Sequence, residues 1–242
     1  LSAAGNDAIA AAASDGIIIS GSGDDRINAA GGADIIDSGS GDDIIWLGTG
    51  DGDKDVVIFG STATANGSDA ITQFTSGTDK LNLDAMTTQT ETTAVNGSNL
   101  TVTAGNVYFL STNVATAAST TALSATALEG GANWTNANVG DVAFFIVSAT
   151  NGSAIYQYVE AGTAGINVAE LTLMGTIDDN ITTSDLVFEA NTDAATGLAA
   201  GLEGLASTQD APSVSSLTID VLTNDAFENT GTITAVNGSV IT

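Results

Sequence analysis

Aspartate recurs at a nine-residue interval near the N-terminus, and this spacing is the feature of the sequence that could do chemistry. Written in nines from Ser2, the chain opens with the blocks SAAGNDAIA, AAASDGIII, SGSGDDRIN, AAGGADIID and SGSGDDIIW. The sixth position of these blocks holds Asp7, Gly16, Asp25, Asp34 and Asp43. Short carboxylates beside glycine, together with backbone carbonyl groups, are ligands that Ca²⁺ prefers in loops. The pattern therefore predicts that stacked loops bind a hard cation.

The other positions of the repeat indicate the structure that positions these aspartates. The eighth position is always isoleucine, at Ile9, Ile18, Ile27, Ile36 and Ile45. The fourth position is Gly5, Ser14, Gly23, Gly32 and Gly41, where glycine suits a loop with positive φ. Six residues for a turn and three for a strand predict a right-handed parallel roll with isoleucine inside. A longer sixth block, LGTGDGDKDVV, keeps the glycines and ends on two valines.

Loops on one edge of such a roll are two repeats apart, and this predicts which aspartates share a cation. The predicted pairs are Asp7 with Asp25, Asp25 with Asp43, and Asp34 with either Asp53 or Asp55. Gly16 supplies no carboxylate, so the site between the second and fourth loops is expected to be weak or absent unless Asp15 substitutes. The full predicted calcium-binding set is Asp7, Gly23, Asp25, Gly32, Asp34, Gly41, Asp43, Gly50, Asp51, Asp53, Asp55, Asp69 and Asp79.

The blocks resemble the nonapeptide G-G-x-G-x-D-x-hydrophobic-x of the RTX family, with the best matches at residues 21–28 and 39–46. The resemblance implies the fold of that family, a parallel β-roll, with Ca²⁺ as the cofactor. The competing calcium motif is an EF-hand over residues 51–55, which has the alternating acids. No glutamate follows at the required distance and the flanks read as strands, which argues against the EF-hand.

The segment after the roll, DAITQFTSGTDKLNL at residues 69–83, resembles the D-x-I-x-x-F-x-x-G-x-D-x-I-x-L segment that follows the roll in serralysin-type proteases and bacterial surface-layer proteins. We expect Ile71, Phe74, Leu81 and Leu83 to be buried, the last two on a strand. Asp69 and Asp79 are predicted either to hold a further calcium ion or to be turn residues. The run from Val56 to Phe59 is expected to close the end of the roll.

The remainder of the chain reads as further β structure. Predicted strands are Asn99–Thr103, Val107–Leu110, Val142–Ser148, Ser153–Tyr158 and Leu171–Gly175, with a short helix or loop within residues 114–128. Asn96-Gly97 and Asn151-Gly152 predict hairpins. The region up to Phe188 resembles the C-terminal β region of type I-secreted RTX surface proteins, which serves export there.

The C-terminal residues carry two further signals. Residues 220–225, DVLTND, resemble the opening strand of tandem immunoglobulin-like repeats in bacterial adhesins. The segment TAVNGS occurs at residues 93–98 and again at 234–239, which predicts the same hairpin twice. Because an isolated hairpin is marginally stable, we expect these strands to pair with the preceding domain, with further chain or with a neighbouring molecule.

These features predict an all-β protein in four parts. An RTX parallel β-roll occupies residues 1–60, and a β-sandwich-like RTX-associated domain occupies residues 61–189. A linker follows at residues 190–211, and residues 212–242 form a β-hairpin or strand extension, or the start of an immunoglobulin-like domain. The chain begins with Leu1 rather than Met and is expected to be a processed product or a fragment.

Composition excludes several classes of function. With 29 acidic and 3 basic residues the net charge is −26, so no basic patch can bind nucleic acid or an anionic membrane. No apolar run reaches the roughly 20 residues of a membrane-spanning helix. The chain has no cysteine and no histidine, which removes thiol and zinc chemistry and the base of a serine triad. We therefore do not expect an enzyme.

The sequence as a whole favours an extracellular, calcium-dependent structural protein. We expect export by a type I-like route and self-assembly at a bacterial surface, as a layer, filament or matrix. Two alternatives are an extender or C-terminal module of a large RTX adhesin, and a non-catalytic export and folding module of a secreted hydrolase.

Overall fold

Short parallel strands dominate the computed structural model, which describes residues 4–49, 52–83, 85–86, 92–94, 98–111, 120–135, 138–162, 165–187, 235–236 and 239–240. The strands of the first part are β1 (Ala8–Ala10), β2 (Ile17–Ile19), β3 (Arg26–Asn28), β4 (Ile35–Asp37), β5 (Ile44–Trp46), β6 (Val56–Ile58), β7 (Asp69–Thr72) and β8 (Lys80–Asn82). Odd-numbered strands pair in parallel with one another, and so do even-numbered strands. This alternation is the parallel β-roll that the nine-residue period predicts.

The isoleucine of each repeat forms the interior of the roll. In register, Ile9 lies opposite Ile27 and Ile27 opposite Ile45, while Ile18 lies opposite Ile36. Ile27, Ile36 and Ile45 are completely buried, whereas Ile9, in the first turn that the structure describes, is only partly buried. The predicted inward ladder is confirmed.

The later strands extend both sheets of the roll and form two small two-stranded sheets. They are β9 (Thr92–Ala94), β10 (Ser98–Thr101), β11 (Val107–Ser111), β12 (Ala132–Thr135), β13 (Val142–Ala149), β14 (Gly152–Val159), β15 (Leu171–Ile177), β16 (Leu186–Val187), β17 (Ala235–Val236) and β18 (Ser239–Val240). The two small sheets pair β10 with β12 and β17 with β18. Helix α1 (Ala63–Asn66) lies between β6 and β7, and helix α2 (Thr121–Gly131) lies between β11 and β12. The predicted all-β class is confirmed, and α2 shows that the helix, rather than the loop, forms near residues 114–128.

Two sheets carry the architecture. The larger has the strand order β1-β3-β5-β7-β15-β14-β13-β11-β9, and the other has the order β16-β8-β6-β4-β2. Strand β7 pairs with β5 on one side and with β15 on the other, so the larger sheet runs without a break across residue 60. The prediction that Val56–Phe59 closes the roll is wrong, because β8 adds a further strand beyond β6. The domain division at residue 60 stays a prediction.

Two hydrophobic cores pack against the larger sheet. The first core, inside the roll, contains Ile71, Phe74, Leu81 and Leu83, which are all buried as predicted. On the opposite face Phe145 stacks against Tyr108, with ring centroids 5.4 Å apart, and meets Tyr158 edge-on at 5.3 Å. Helix α2 packs on this second core through Ala125 and Leu128.

The Asn-Gly signals have different outcomes. Strands β13 and β14 form an antiparallel hairpin in which Ala149 lies opposite Gly152, so the prediction at Asn151-Gly152 is confirmed. The prediction of a hairpin at Asn96-Gly97 is wrong, because β9 pairs with β11 and β10 pairs with β12, both in parallel. The dipeptide favours a turn, but tertiary contacts choose the partners of the strands that flank it.

No helix in the described part of the chain is long and apolar enough to cross a membrane. The predicted linker at residues 190–211 lies outside the described residues, and so does most of the predicted extension at 212–242.

Candidate metal-binding site

Four aspartates form a stacked row along one edge of the roll, here called the first aspartate ladder: Asp7, Asp25, Asp43 and Asp69. The backbone N–H of each donates to Oδ1 of the next, at 2.7, 2.8 and 3.1 Å in turn. Asp25, Asp43 and Asp69 are at most 2% exposed. The structure therefore brings together both pairs that the spacing predicts, Asp7 with Asp25 and Asp25 with Asp43.

The step from Asp43 to Asp69 was not predicted, because 26 residues separate these two positions instead of 18. The insertion contains helix α1. One signal could have found the step, since Asp69-Ala-Ile71 repeats the Asp-x-Ile pattern of the roll.

A second aspartate ladder, Asp34, Asp55 and Asp79, lies on the even-numbered strands. Asp34 N–H donates to Asp55 Oδ1 at 2.9 Å, and Asp55 N–H donates to Asp79 Oδ1 at 3.1 Å. Of the two predicted partners of Asp34, the structure places Asp55 there and leaves Asp53 exposed. Asp69 and Asp79 thus continue different ladders, and do not form one site together. Predicted Gly50 and Asp51 lie outside the described residues.

The second ladder is incomplete at its first turn. Gly16 offers no carboxylate, and a Cβ at this position would lie 2.9 Å from Asp34 Oδ1. Asp15 does not take its place in the row, since its exposed side chain accepts the N–H of Ala33 at 3.0 Å. The weak site expected here stays a prediction.

A further row of side chains lies outside the first ladder and was missed. Asp24 N–H donates to Asn6 Oδ1, and Asp42 N–H donates to Asp24 Oδ1, both at 3.0 Å. Ser68 N–H donates to Asp42 Oδ1 at 2.9 Å. In these hydrogen bonds the N–H of the later turn donates to the earlier turn, whereas in the ladder the N–H of the earlier turn donates to the later one. Each pair of stacked turns is therefore joined by two hydrogen bonds of opposite direction. The signal was the Asn or Asp directly before the ladder aspartate.

The predicted glycines allow the turns to approach closely. Gly23 has φ +119°, and a Cβ there would lie 2.6 Å from the carbonyl oxygen of Gly5. Gly32 has φ +98°, and its Cβ would lie 2.5 Å from Asp15 N. Gly41 has φ +135° and would overlap the carbonyl oxygen of Gly23. Only glycine allows both the positive φ and the close approach of the neighbouring turn. That the carbonyl groups of these glycines bind a cation stays a prediction.

Asn66 ends the first ladder. Its amide Nδ2 donates to Asp69 Oδ2 at 2.8 Å and to the Met174 carbonyl at 2.9 Å. Its Oδ1 accepts the N–H of Gly60 at 2.7 Å. Both Asn66 and Asp69 are buried, so the last carboxylate meets an amide rather than another turn of the roll.

The electrostatics of the first ladder fit a cation. Asp25 Oδ2 and Asp43 Oδ2 are buried without a hydrogen-bond partner. Burial raises the pKa of Asp43, and the charges of Asp25 and Asp24 add to the effect. Burial also raises the pKa of Asp69, to about 8, with a contribution from the charge of Asp43. Buried, incompletely bonded carboxylates are costly, and a nearby cation would offset that cost.

Side chains alone do not complete a coordination shell. Within the described ranges, no three acidic side chains converge as a metal-binding group. A cation between the turns would therefore need backbone carbonyl groups beside the aspartates, which is how Ca²⁺ commonly completes its six to eight ligands.

The raised pKa of Asp69 predicts a pH dependence in the calcium-free protein. In the folded state the Asp69 carboxyl has a pKa of about 8 and holds its proton more tightly than in the unfolded chain, where its pKa lies near the ordinary 3.8. The free energy of unfolding should therefore fall as the pH rises from about 4 to about 8. Urea unfolding at pH 5 and pH 8 measures this, and Asp69→Asn should weaken the dependence. An equal pH dependence in Asp69→Asn would contradict the assignment; Asp53→Asn, at an exposed position, is the control.

Acidic side chains also hold the loop between β7 and β8. Consecutive backbone N–H groups from Gln73 to Gly77 each donate to a carboxylate, supplied by Asp178 (twice), Asp79, Asp179 and Asp185. Burial alone would raise the pKa of Asp185, but hydrogen bonds from Ser76, Thr182 and Gly77 outweigh it and lower the pKa. The segment after β15 is thus fastened to the end of the roll.

The topology and the two ladders together define an RTX-like parallel β-roll. No protein-family model matches the chain, and no curated protein matches it in sequence. Among solved structures, it is similar to the solution structure of the AlgE6R3 subunit from the Azotobacter vinelandii mannuronan C5-epimerase. The identity is 17% over 81% of this chain and 84% of that chain, with a TM-score of 0.41. A similarity this distant assigns neither family nor activity.

Proposed function

We propose that this protein is an extracellular structural protein whose roll folds around calcium and which self-assembles at a bacterial surface. The observation that carries the proposal is the first aspartate ladder, in which Oδ2 of Asp25 and Oδ2 of Asp43 are buried and accept no hydrogen bond from the described residues. Asp7, Asp25, Asp43 and the carbonyl groups of the adjoining glycine turns would hold the cation.

Net charge explains why calcium would control the fold. The chain carries −26 and only three basic residues, Arg26, Lys54 and Lys80. Lys80 Nζ lies 3.6 Å from Asp185 Oδ1, and Arg26 is exposed on β3. The aspartates of the roll therefore repel one another where calcium is scarce, as in a cytoplasm. At about 1 mM calcium outside the cell, sites with dissociation constants of about 0.1–1 mM would be about half to about nine-tenths occupied.

Open sheet ends support self-assembly. Among the described strands, β1 and β2 stand last at one end of the two sheets, and β9 stands last at the other end of the larger sheet. Unpaired strand edges accept further strands from other molecules. We propose no catalytic activity, since the chain offers no histidine or cysteine.

Electron microscopy with 5 mM calcium and then with excess EGTA, beside circular dichroism, tests the proposal. Ordered fibres or sheets that dissolve in EGTA are expected. A calcium-dependent fold that stays monomeric would refute assembly and favour an adhesin module or the accessory module of a hydrolase. A fold indifferent to EGTA would refute the calcium site itself.

A matched pair of substitutions tests the ladder. Asp43→Asn and Asp53→Asn each remove one negative charge, but only Asp43 is buried in the ladder, and Asp53 is exposed. Asp43→Asn should weaken calcium binding on the order of tenfold, because a charged oxygen ligand is removed. It should also stabilise the calcium-free protein, because a buried charge is removed.

Calorimetric titration with calcium, and urea unfolding without it, measure the two effects of Asp43→Asn. Asp53→Asn should change neither by much. Equal loss of affinity in both variants would show that calcium responds only to total charge, and would contradict a site at the ladder.

A further inference from the structure

An internal duplication links the middle of the chain to its end. Residues 93–101 read TAVNGSNLT and residues 234–242 read TAVNGSVIT. Seven of these nine positions are identical, and Leu100 corresponds to Ile241. The chain therefore carries two nearly equivalent copies of one strand-turn-strand segment.

The two copies pair in different ways. In the second copy, β17 and β18 form an antiparallel hairpin, with Ala235 opposite Val240 and Val236 opposite Ser239. In the first copy the flanking strands have other partners, since β9 pairs with β11 and β10 pairs with β12. The same residues thus form either a closed hairpin or a strand inserted into a sheet.

The first copy occupies a replaceable position. Within the described part of the chain, β9 is the last strand of the larger sheet and pairs only with β11. In that register Thr93 lies opposite Phe109 and Ala94 lies opposite Leu110. On its other side β11 is held by β13, so removal of β9 leaves the rest of the sheet paired.

We propose that residues 234–242 of one molecule replace β9 of a neighbouring molecule and pair in parallel with its β11. This inference rests on the proposed self-assembly and names the surface that performs it. Thr234 would lie opposite Phe109 and Ala235 opposite Leu110, because they correspond to Thr93 and Ala94. At these two positions the incoming strand has the same residues as β9, so its backbone can form the same hydrogen bonds; the third β9 residue, Thr92, corresponds to Ile233.

Two features favour the exchange. The donor hairpin has only two residue pairs, and a two-stranded hairpin of this kind is marginal in water. Exchange replaces the β9–β11 pairs by equivalent pairs between two molecules, so the contacts given up are those of the two-pair donor hairpin. The equilibrium then depends on protein concentration.

The exchange also predicts the form of the assembly. Each molecule carries one donor, residues 234–242, and one acceptor, the β11 edge. Donor and acceptor are different surfaces, so the interface is heterologous and grows into an open filament unless the rotation closes a ring. A filament is therefore expected rather than a symmetric dimer.

Because the two copies share their sequence, the same substitutions can be made at corresponding positions of β9 and of the donor segment. Thr93→Pro with Ala94→Pro disables β9, while Thr234→Pro with Ala235→Pro makes the same change in the donor. Successive N–H groups point to opposite sides of a strand, so two consecutive prolines remove the one that pairs with β11. In calcium, the donor variant should lose sedimentable polymer, and the β9 variant should polymerise at lower protein concentration than the unsubstituted chain.

The outcomes separate this inference from the proposed function. Polymer formed equally by the unsubstituted chain and the donor variant overturns the exchange but leaves self-assembly intact. Loss of polymer in a β9 variant that keeps its calcium-dependent circular dichroism also overturns the exchange. Absence of polymer in every variant overturns self-assembly and the exchange with it.

Cross-linking tests the interface even if the proline variants fail to fold. The chain has no cysteine, so Ser111→Cys and Val236→Cys, made in separate molecules and mixed, can join only between chains. Ser111 is exposed at the end of β11 and continues the register to the position of Val236. Oxidation in calcium should yield the mixed disulfide. A yield no higher than that of Thr172→Cys, exposed on β15, with Val236→Cys would overturn the proposal.

Discussion

Chelation of calcium is expected to lower the free energy of unfolding of the roll, so that the roll opens more often. At 5 mM calcium, a site with a dissociation constant of about 0.1–1 mM contributes about 1–2.3 kcal/mol to the free energy of unfolding. Filling two or three such sites would supply a large share of the roughly 5–15 kcal/mol that holds a typical domain. Without calcium the buried carboxylates of Asp25 and Asp43 lose their counter-charge, which adds a cost of several kcal/mol per ion.

Hydrogen exchange in calcium and in EGTA, with circular dichroism alongside, measures this by region. The amides of β1 to β6 should lose protection in EGTA, whereas those of β13 and β14 should keep more of theirs, because their second core contains no aspartate ladder. Magnesium at the same concentration is the control, since Mg²⁺ dehydrates reluctantly and demands an octahedral shell. Unchanged protection of the roll in EGTA would refute the calcium site.

Substitution of Gly39 by alanine is expected to be strongly destabilising. Gly39 has φ +84°, and a Cβ there would overlap the carbonyl oxygen of Gly21 in the turn below and lie 2.7 Å from its carbonyl carbon. The left-handed backbone costs alanine about 1–2 kcal/mol. Overpacking against rigid backbone adds about 1–3 kcal/mol, so Gly39→Ala should lose about 2–5 kcal/mol of stability.

Gly52→Ala is the matched control. Gly52 has a similar φ of +76°, but nothing lies within 4 Å of its Cβ. This variant should lose only the backbone contribution of about 1–2 kcal/mol. Urea unfolding of both variants in saturating calcium gives the comparison. Equal losses would mean that the turns of the roll do not press on one another at Gly39.

Local repetition made the roll predictable. Each block of nine carries its own glycine, aspartate and isoleucine, so a single rule places the strand, the turn and the ladder of each repeat. That rule gave the inward isoleucines and the pairs Asp7–Asp25 and Asp25–Asp43. It failed at the insertion before Asp69, where a change of spacing hides a partner that the three-dimensional stack still aligns.

Interactions between distant segments were not predictable in this way. The amide of Asn66 on Asp69 and the carboxylates of residues 178–185 on the loop at 73–77 depend on elements that meet only in the folded chain. The continuous sheet through β7 and β15 has the same origin. A carboxylate or amide in the sequence shows that it can bond, but not to which group.

The segment TAVNGS shows most clearly which features the sequence determines and which depend on the tertiary structure. By itself the sequence determined the period of the roll, the acidic ladders, the buried isoleucines and the presence of strands on either side of each Asn-Gly, because these follow from residues close together in the chain. Only the tertiary structure decided that the strands of one copy pair with each other, as β17 with β18, while the strands of the other copy pair with β11 and β12. The physical reason is that a strand edge bonds through its backbone, which is the same in every residue, so the available neighbours choose the partner.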